Sequence, residues 1–300
     1  MASIQDEISK KWNSGGMVVR LIMVNLAVFL LIGTIKLLGV LGLPIPSSLD
    51  TGVYWLAISS DLGVLIRRPW SIVTHMFAHE GILHFFFNML WLWFLGRMFQ
   101  SMFGQRKLLA TYLLGGFSGI ILYLLMANLI PTMPIGGWAI GASAAVMAIF
   151  IGYATYFPNQ QIRLPFIGGV AIKYIAIFYV IIDYMGLSGG NNVGGHVGHL
   201  GGALYGFILM TQIKKGTDIG LWFENFLDRL VNFVRGRKGG RMKVVYNKKG
   251  KNSKRRKTDE EFNADKNANA AKVDKILDKI SKSGWDSLTK DEKDFLNAQK

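Results

Sequence analysis

The chain of 300 residues is 51% apolar and has no cysteine, which excludes a disulfide framework and thiolate chemistry. Its net charge of +15 is concentrated after the last apolar segment, because residues 214–258 carry 15 basic against 3 acidic side chains. A basic run there is typical of a cytoplasmic anchor at anionic lipid, and nucleic-acid binding is the weaker interpretation because no recognition element accompanies the charge.

Six apolar segments are each about as long as the roughly 20 residues that a helix needs to cross the hydrocarbon core of a bilayer. The first is too long for the core of a signal peptide, and no small-residue cleavage site follows it, so we interpret it as a membrane anchor. The sequence therefore predicts an all-α membrane protein with spans at residues 19–41, 82–103, 108–130, 137–157, 164–187 and 193–213.

The connection between the first two spans is longer than a simple turn needs, and it contains an aromatic-rich apolar stretch at residues 51–70. That composition predicts a segment lying at the membrane interface rather than in water. Loops of this length are often functional.

All five histidines lie near the starts of the second and sixth spans. His75 and His79 precede the apolar run, and we interpret them as interfacial histidines satisfied by headgroups or water. His84 shares one helix face with Asn88, four residues later. Both side chains can donate hydrogen bonds, and with the backbone N–H of Ser143 they would form an oxyanion hole for acyl transfer. An interhelical polar clamp is the alternative for Asn88.

Ser143 lies about five residues into the fourth span and His199 about six residues into the sixth, so both are expected about 8–9 Å below the same surface. A serine hydroxyl becomes a good nucleophile only when a base takes its proton, and His199 could do this. Small residues around Ser143 and at every fourth position of the sixth span would let the two helices approach closely, with generic small-residue packing as the alternative interpretation. The spaced glycines are Gly194, Gly198, Gly202 and Gly206.

Two other ionisable residues compete for roles near this pair. His196 is the competing base, three residues before His199 and nearer to water. Asp183, near the outer end of the fifth span, could orient the base, although an interfacial acid is the favoured interpretation. An intramembrane zinc protease is the less favoured alternative, because His79 and His84 are five residues apart and sit about 140° apart on a helix. No metal and no organic cofactor is expected.

Taken in order, three motifs resemble the rhomboid family of intramembrane serine proteases over about residues 15–213. HFFFNMLWLWFLG resembles its H-x-x-x-N helix, GASAAVMAIF its G-x-S-G helix, and HLGGALYG the small-residue helix that carries the catalytic histidine. The resemblance implies a six-helix bundle in which Ser143 is the nucleophile and His199 the general base, a dyad without a carboxylate. It implies that His84 and Asn88 stabilise the oxyanion, and that the substrates are single-span membrane proteins cleaved near their outer ends.

Two positions depart from the family pattern. Ala144 stands where a glycine usually follows the serine, and it is small enough to keep the helix slim. Met147 stands where relatives often place a tyrosine that stacks on the histidine, and a methionine can fill that space and contact the imidazole. A catalytically silent protein that binds membrane clients is the alternative function, but retention of all four site residues argues against it.

After the last span, the sequence predicts a basic amphipathic and disordered linker followed by a small helical module. In the module an apolar stripe precedes Thr289 and Glu292, which are spaced as a capping box that opens a second helix. The chain thus divides into a cytoplasmic N-terminal segment, a six-span region, a cytoplasmic linker and a cytoplasmic module, at residues 1–18, 19–213, 214–271 and 272–300.

The charge of the connections predicts that both termini face the cytoplasm from the cell membrane. The connections at about 128–140 and 186–195 contain no Lys or Arg, whereas those after the second and fourth spans do. We predict that reporter fusions after residue 135 or 190 report the outer side, while fusions between the second and third spans report the cytoplasm. A cytoplasmic signal from either of the first two fusions would contradict this topology.

Overall fold

The computed structural model divides the chain into two units, Met1–Gly239 and Gly240–Lys300. It describes residues 3–43, 52–130, 137–164, 168–189, 192–234 and 259–297. The helices of the first unit are α1 (Ile4–Ser14), α2 (Gly16–Val40), α3 (Gly52–Leu56), α4 (Leu62–Arg67), α5 (Ser71–Thr74), α6 (Ile82–Leu129), α7 (Ser143–Tyr156), α8 (Ile172–Gly186), α9 (Val193–Lys214) and α10 (Leu221–Val234).

Two pairs of short antiparallel strands lie between these helices. β1 (Ile58–Ser59) pairs with β2 (Trp138–Ala139), so the long loop after α2 and the approach to α7 form one small sheet. β3 (Gln161–Leu164) pairs with β4 (Gly168–Ala171). The fifth expected span therefore begins with a hairpin and not with a helix. Gly168 has a φ of 93°, a conformation that interrupts helical structure.

The second and third expected spans form the two arms of α6. Gly104 divides them with a φ of 85° and a ψ of 168°, which glycine adopts at little cost because it has no Cβ. The arms at 82–103 and 105–129 are each long enough for one crossing of a bilayer.

Helices occupy most of each of the six expected apolar segments, and the predicted helical architecture is confirmed. By length and composition, two of the described helices, α2 and α6, could each cross a membrane, and α7 is a shorter apolar helix. The count of six crossings stays a prediction.

The central helix of the first unit is α7, in which every residue from 144 to 154 is buried. A helix that is apolar all round is stable only when it is surrounded, and α7 packs against α6 and α9. A Cβ at Gly202 of α9 would lie 2.0 Å from the carbonyl oxygen of Ala144, and one at Gly206 would lie 2.1 Å from that of Ala148. The two backbones are therefore in direct contact, as the glycine spacing predicted.

The second arm of α6 approaches the same pair of helices through its own glycines. A Cβ at Gly115 would lie 2.3 Å from the Cβ of Ala148, and one at Gly119 would lie 2.6 Å from that of Ala144. On α9, two glycines meet this arm: a Cβ at Gly119 would lie 2.8 Å from the carbonyl oxygen of Gly198, and a Cβ at Gly201 would lie 2.7 Å from that of Ser118. Three helices thus meet through small residues.

The expected amphipathic segment after the last span forms α10. Its ring at Phe223 is buried beside Phe117, while most of its other apolar side chains are exposed. Lys107, buried on the second arm of α6, forms ion pairs with Asp218 and with Glu224. These contacts fix α10 against the helix that follows the break at Gly104.

The second unit consists of α11 (Asp259–Ser283), a 3₁₀ turn (Trp285–Ser287) and α12 (Lys290–Asn297). The capping box is confirmed, because Thr289 N–H donates to Glu292 Oε2 at 2.8 Å and Glu292 N–H donates to Thr289 Oγ1 at 3.3 Å. Helical structure begins at residue 259 and not at 272, so the expected linker ends earlier; residues 259–271 include four alanines and two glutamates, which favour helices. The remainder of the expected disordered linker, 235–258, lies outside the described residues.

Candidate active site

A cavity of about 750 Å³ opens between the first arm of α6 and helices α7, α8 and α9. All four residues that the sequence predicted as site residues line it, together with Asp183 and His196. The rest of the wall is largely apolar, with Trp91, Phe150 and Tyr179 in mutual ring contact. The four predicted site residues are His84, Asn88, Ser143 and His199.

Ser143 is the first residue of α7, and so the expectation that it lies five residues inside a longer helix is wrong. The strand β2 and an irregular turn replace the first turns of the expected span, and the depth obtained from helical rise does not apply to Ser143. At the start of a helix the first backbone N–H groups have no partner within the helix, and the helix dipole is positive there. The serine therefore lies where negative charge is stabilised.

Gly141 is the point at which His84 and Ser143 approach one another. A Cβ at Gly141 would lie 2.8 Å from His84 Nε2 and 3.7 Å from Ser143 Oγ. Its φ of 119° is also one that other residues rarely adopt. Both the backbone conformation and the space therefore require glycine, and the imidazole and the hydroxyl face the same small volume.

Asn88 lies one helical turn after His84 and is buried. Its Nδ2 donates to the backbone oxygen of His84 at 2.8 Å, and the amide keeps a second N–H for another acceptor. Within the described part of the chain Asn88 makes no hydrogen bond to another helix, so the interhelical clamp is not observed.

Asp183 joins both histidines of α9. His196 Nδ1 and His199 Nδ1 each lie 2.8 Å from Asp183 Oδ1. The carboxylate is only 4% exposed, so its interpretation as an interfacial acid is wrong. The three possible ligand atoms lie within 4.8 Å of one another, a spacing that a metal ion could also bridge.

Ser143 and His199 lie together in the narrow recess that continues from the cavity, beside Gly141 and Ala144. Among the residues that the structure describes, Ser143 Oγ takes part in no hydrogen bond, so the predicted nucleophile and the predicted base share a recess without a direct hydrogen bond between them. Catalytic hydrogen bonds are often long without substrate and tighten when it binds.

Of the two departures from the family pattern, Ala144 lies at this recess and Met147 at the larger cavity. The methyl group of Ala144 fits against Gly119 of α6, and the backbone of Ala144 contacts Gly202. Met147 is buried and lines the cavity that also contains His199. Ala144 and Met147 are therefore both accommodated by the packing around the site.

His75 and His79 are buried, and their interpretation as interfacial histidines is wrong. The carbonyl oxygen of His75 accepts the N–H of Gly141 at 2.9 Å, and His79 Nε2 accepts the N–H of Ala142 at 3.3 Å. The long loop thus fixes the two residues that precede the serine.

A second set of supporting residues connects α2 to the same loop. Asn25 Nδ2 donates to the Tyr112 hydroxyl at 3.2 Å, and that hydroxyl donates to the backbone oxygen of Met76 at 2.8 Å. Sequence reasoning missed both residues. The available signal was a strongly polar Asn25 inside an apolar span, because such residues are costly in a membrane and need partners.

Comparison with known proteins finds similarity over most of the first unit. Residues 67–215 match the family model described as a rhomboid domain, and residues 256–299 match one described as a family of unknown function (DUF6576). Among curated proteins, RHOMBOID-like protein 12, mitochondrial, of Arabidopsis thaliana is 33% identical over 161 residues, which are 50% of this chain and 48% of that protein.

Two further relatives show the same partial coverage. Presenilin-associated rhomboid-like protein A, mitochondrial, of Danio rerio is 30% identical over 46% of this chain and 36% of its own length. Rhomboid protease GlpG of Salmonella newport is 26% identical over 56% of this chain and 58% of its own length. The matched region thus spans roughly a third to three fifths of these relatives.

We predict that the folded protein loses stability as the pH falls from 7 to 5. Desolvation by burial lowers the pKa of His75 and of His79 from 6.5 to about 4. In that pH range the unfolded chain binds more protons than the folded chain, so each histidine should lower the free energy of unfolding by roughly 2 kcal/mol. Reversible unfolding of the purified protein in detergent, followed at both pH values, measures the effect.

The variant His79→Gln supplies the control. Its side-chain oxygen can accept the N–H of Ala142, but it does not titrate, so the pH dependence should be about half that of the wild type. Equal stability of the wild type at pH 5 and pH 7 would contradict the burial of neutral histidines.

Proposed function

We propose that this chain, whose residues 67–215 belong to the rhomboid family, is an intramembrane serine endopeptidase that cleaves single-span membrane proteins near their outer ends. The observation that carries the proposal is that His84, Asn88, Ser143 and His199 line one cavity, although they come from three helices. A protein that only bound its clients would have no use for this combination of groups.

Ser143 is the proposed nucleophile. Its hydroxyl attacks the scissile carbonyl carbon, and the carbonyl oxygen acquires the negative charge. The position of Ser143 at the start of α7 supports this role, because its backbone N–H lies at the positive end of the helix. Preorganised donors of this kind stabilise the charge that develops in the transition state.

His199 is the proposed general base. Its Nε2 takes the proton from the serine hydroxyl during attack, and the resulting imidazolium returns it to the leaving amine. His199 shares the narrow recess with Ser143, and its Nδ1 is directed to Asp183. The ring nitrogen that remains for the serine is therefore Nε2.

His84 and Asn88 are the proposed oxyanion donors. Both lie on the face of α6 that lines the cavity, and His84 approaches Ser143 across Gly141. One hydrogen of the Asn88 amide is already donated to the helix backbone, and the other is available for substrate. These donors and the Ser143 N–H surround the position of the developing charge.

The proposed setting is the cell membrane, with six crossings and both termini cytoplasmic. The breaks at Gly104 and before α8 fit six helical segments, and the apolar character of α2 and α6 fits a bilayer. The basic residues after α9 would bind anionic headgroups, and transmembrane proteins are the proposed substrates.

We predict that Ser143→Ala and His199→Ala each lower cleavage by about 10⁴-fold or more, and that the double variant is no worse than either one. A nucleophile and its base act as a unit, so their losses do not add. The assay uses the purified full chain with a panel of single-span substrates, and mass spectrometry locates the cut.

Labelling and a matched control sharpen this experiment. A mechanism-based serine reagent should label the wild type at Ser143 and fail on both variants, whereas Ser101→Ala, at an exposed serine of α6, should be fully active. Near-normal cleavage by Ser143→Ala would contradict the serine mechanism. Inhibition by a chelator and not by the reagent would favour the metalloprotease alternative, and absence of cleavage across the panel would favour the client-binding one.

We predict that His84→Ala and Asn88→Ala each reduce kcat by about 10²–10³-fold while KM changes little, because both groups are proposed to act on the transition state. Phe86→Ala, an exposed position between them, serves as the control and should be close to wild type. An unchanged kcat in both site variants would show that His84 and Asn88 contribute to packing and not to catalysis.

A further inference from the structure

The carboxylate of Asp183 has an arrangement that a dyad does not require. It lies on α8, is 4% exposed, and receives two imidazole nitrogens at 2.8 Å on the same oxygen. A carboxylate is costly to bury unless it is paired and hydrogen-bonded. The two histidines supply those hydrogen bonds, so the three residues form one polar unit at the wall of the cavity.

The chemistry of the carboxylate determines the state of both rings. An ionised carboxylate only accepts hydrogen bonds, and each of its oxygens can accept two. Nδ1 of His196 and Nδ1 of His199 must therefore both carry a hydrogen. In a neutral imidazole the other nitrogen, Nε2, then has the free lone pair.

The two histidines are not equivalent with respect to the serine. The ring of His196 packs against the end of α8, because a Cβ at Gly186 would lie 2.5 Å from His196 Nε2. His199 instead lies in the narrow recess that contains Ser143, which His196 does not line. Both rings line the larger cavity with Ser143, but His199 is the one that also shares the narrow recess with the hydroxyl, so it is the better placed of the two to offer its lone pair.

We infer that Asp183 is a positioning residue that holds His199 as the Nδ1–H tautomer with Nε2 toward Ser143, and that His196 braces the same carboxylate oxygen from its other side. The inference rests on the proposed function and deepens it, because it turns the dyad into a triad with a second, non-catalytic histidine. Attack by the serine places a positive charge on His199, and the adjacent carboxylate stabilises that charge. No co-reactant is needed, since one proton passes from Ser143 Oγ to His199 Nε2.

The test compares substitutions at Asp183 in the purified full chain. Asp183→Ala should lower kcat by about 10²-fold or more with KM within about threefold, because the loss falls on proton transfer and not on substrate binding. Asp183→Glu keeps a carboxylate and should recover at least about tenfold of that loss. Labelling of Ser143 by the mechanism-based reagent should slow in proportion to kcat.

Two further variants separate positioning from packing. Tyr184→Phe changes the exposed neighbour on α8 and should be active at the wild-type level. His196→Ala removes only the brace and should lower kcat about two- to fivefold, far less than Asp183→Ala. Unfolding midpoints are measured for all variants, and a structural role for Asp183 would lower the midpoint and the labelled fraction without slowing the reaction of the folded molecules.

Several results would overturn the inference. If Asp183→Ala retains wild-type kcat while Ser143→Ala is inactive, the dyad acts without Asp183 and the proposed function survives alone. If His196→Ala is inactive and His199→Ala is not, the base has been misassigned. If a chelator abolishes wild-type cleavage, the three residues hold a metal ion. Cleavage by Ser143→Ala would overturn the proposed function and leave Asp183 with no dyad to position.

Discussion

The direct contact between the backbones of α7 and α9 is the constraint on which the candidate site depends. Gly202 and Gly206 lie against the carbonyl groups of Ala144 and Ala148, and any side chain at either glycine would separate the helices. His199 lies three residues before Gly202, on nearly the same face of α9, and Ser143 directly precedes Ala144. The contact that packs the helices therefore also determines where the imidazole lies relative to the hydroxyl.

A second constraint comes from the long loop, which acts on the backbone and not on side chains. The strand β1 pairs with β2, while His75 and His79 accept the N–H groups of Gly141 and Ala142. Because these bonds satisfy backbone groups just ahead of Ser143, the chain can leave strand β2, turn at Gly141 and Ala142, and become helical at the serine. The loop and the core thus fix Ser143, the proposed nucleophile, from opposite sides.

The sequence predicted the elements whose signals are local. Hydropathy located the six apolar segments, the spacing of four placed His84 and Asn88 on one face, and the pattern Thr289-x-x-Glu292 identified the capping box. Ser143 and His199 stood out because polar groups are expensive in apolar segments. Each of these inferences uses residues within a few positions of one another.

The predictions that were wrong depend on residues that are far apart in the chain. The start of α7 could not be read from an apolar run, because an apolar strand and an apolar helix have the same hydropathy. The partners of His75 and His79 are backbone groups more than sixty residues later in the chain. Asp183 meets its histidines only once α8 and α9 are packed together. Such contacts depend on tertiary structure, and so no single segment predicts them.

The shortness of α7 has a consequence for the proposed hydrolysis. Its 14 residues extend about 21 Å, less than the roughly 30 Å of a hydrocarbon core. In a bilayer the extended chain ahead of it would lie at a depth where irregular backbone is tolerated only if protein covers it or if it borders an aqueous space. The cavity beside Ser143 is the space that this chain borders, and its largely apolar wall also carries His84, Asn88 and Asp183. For the proposed peptidase, the helical turns that α7 lacks leave the space beside Ser143 that its second reactant, water, would need.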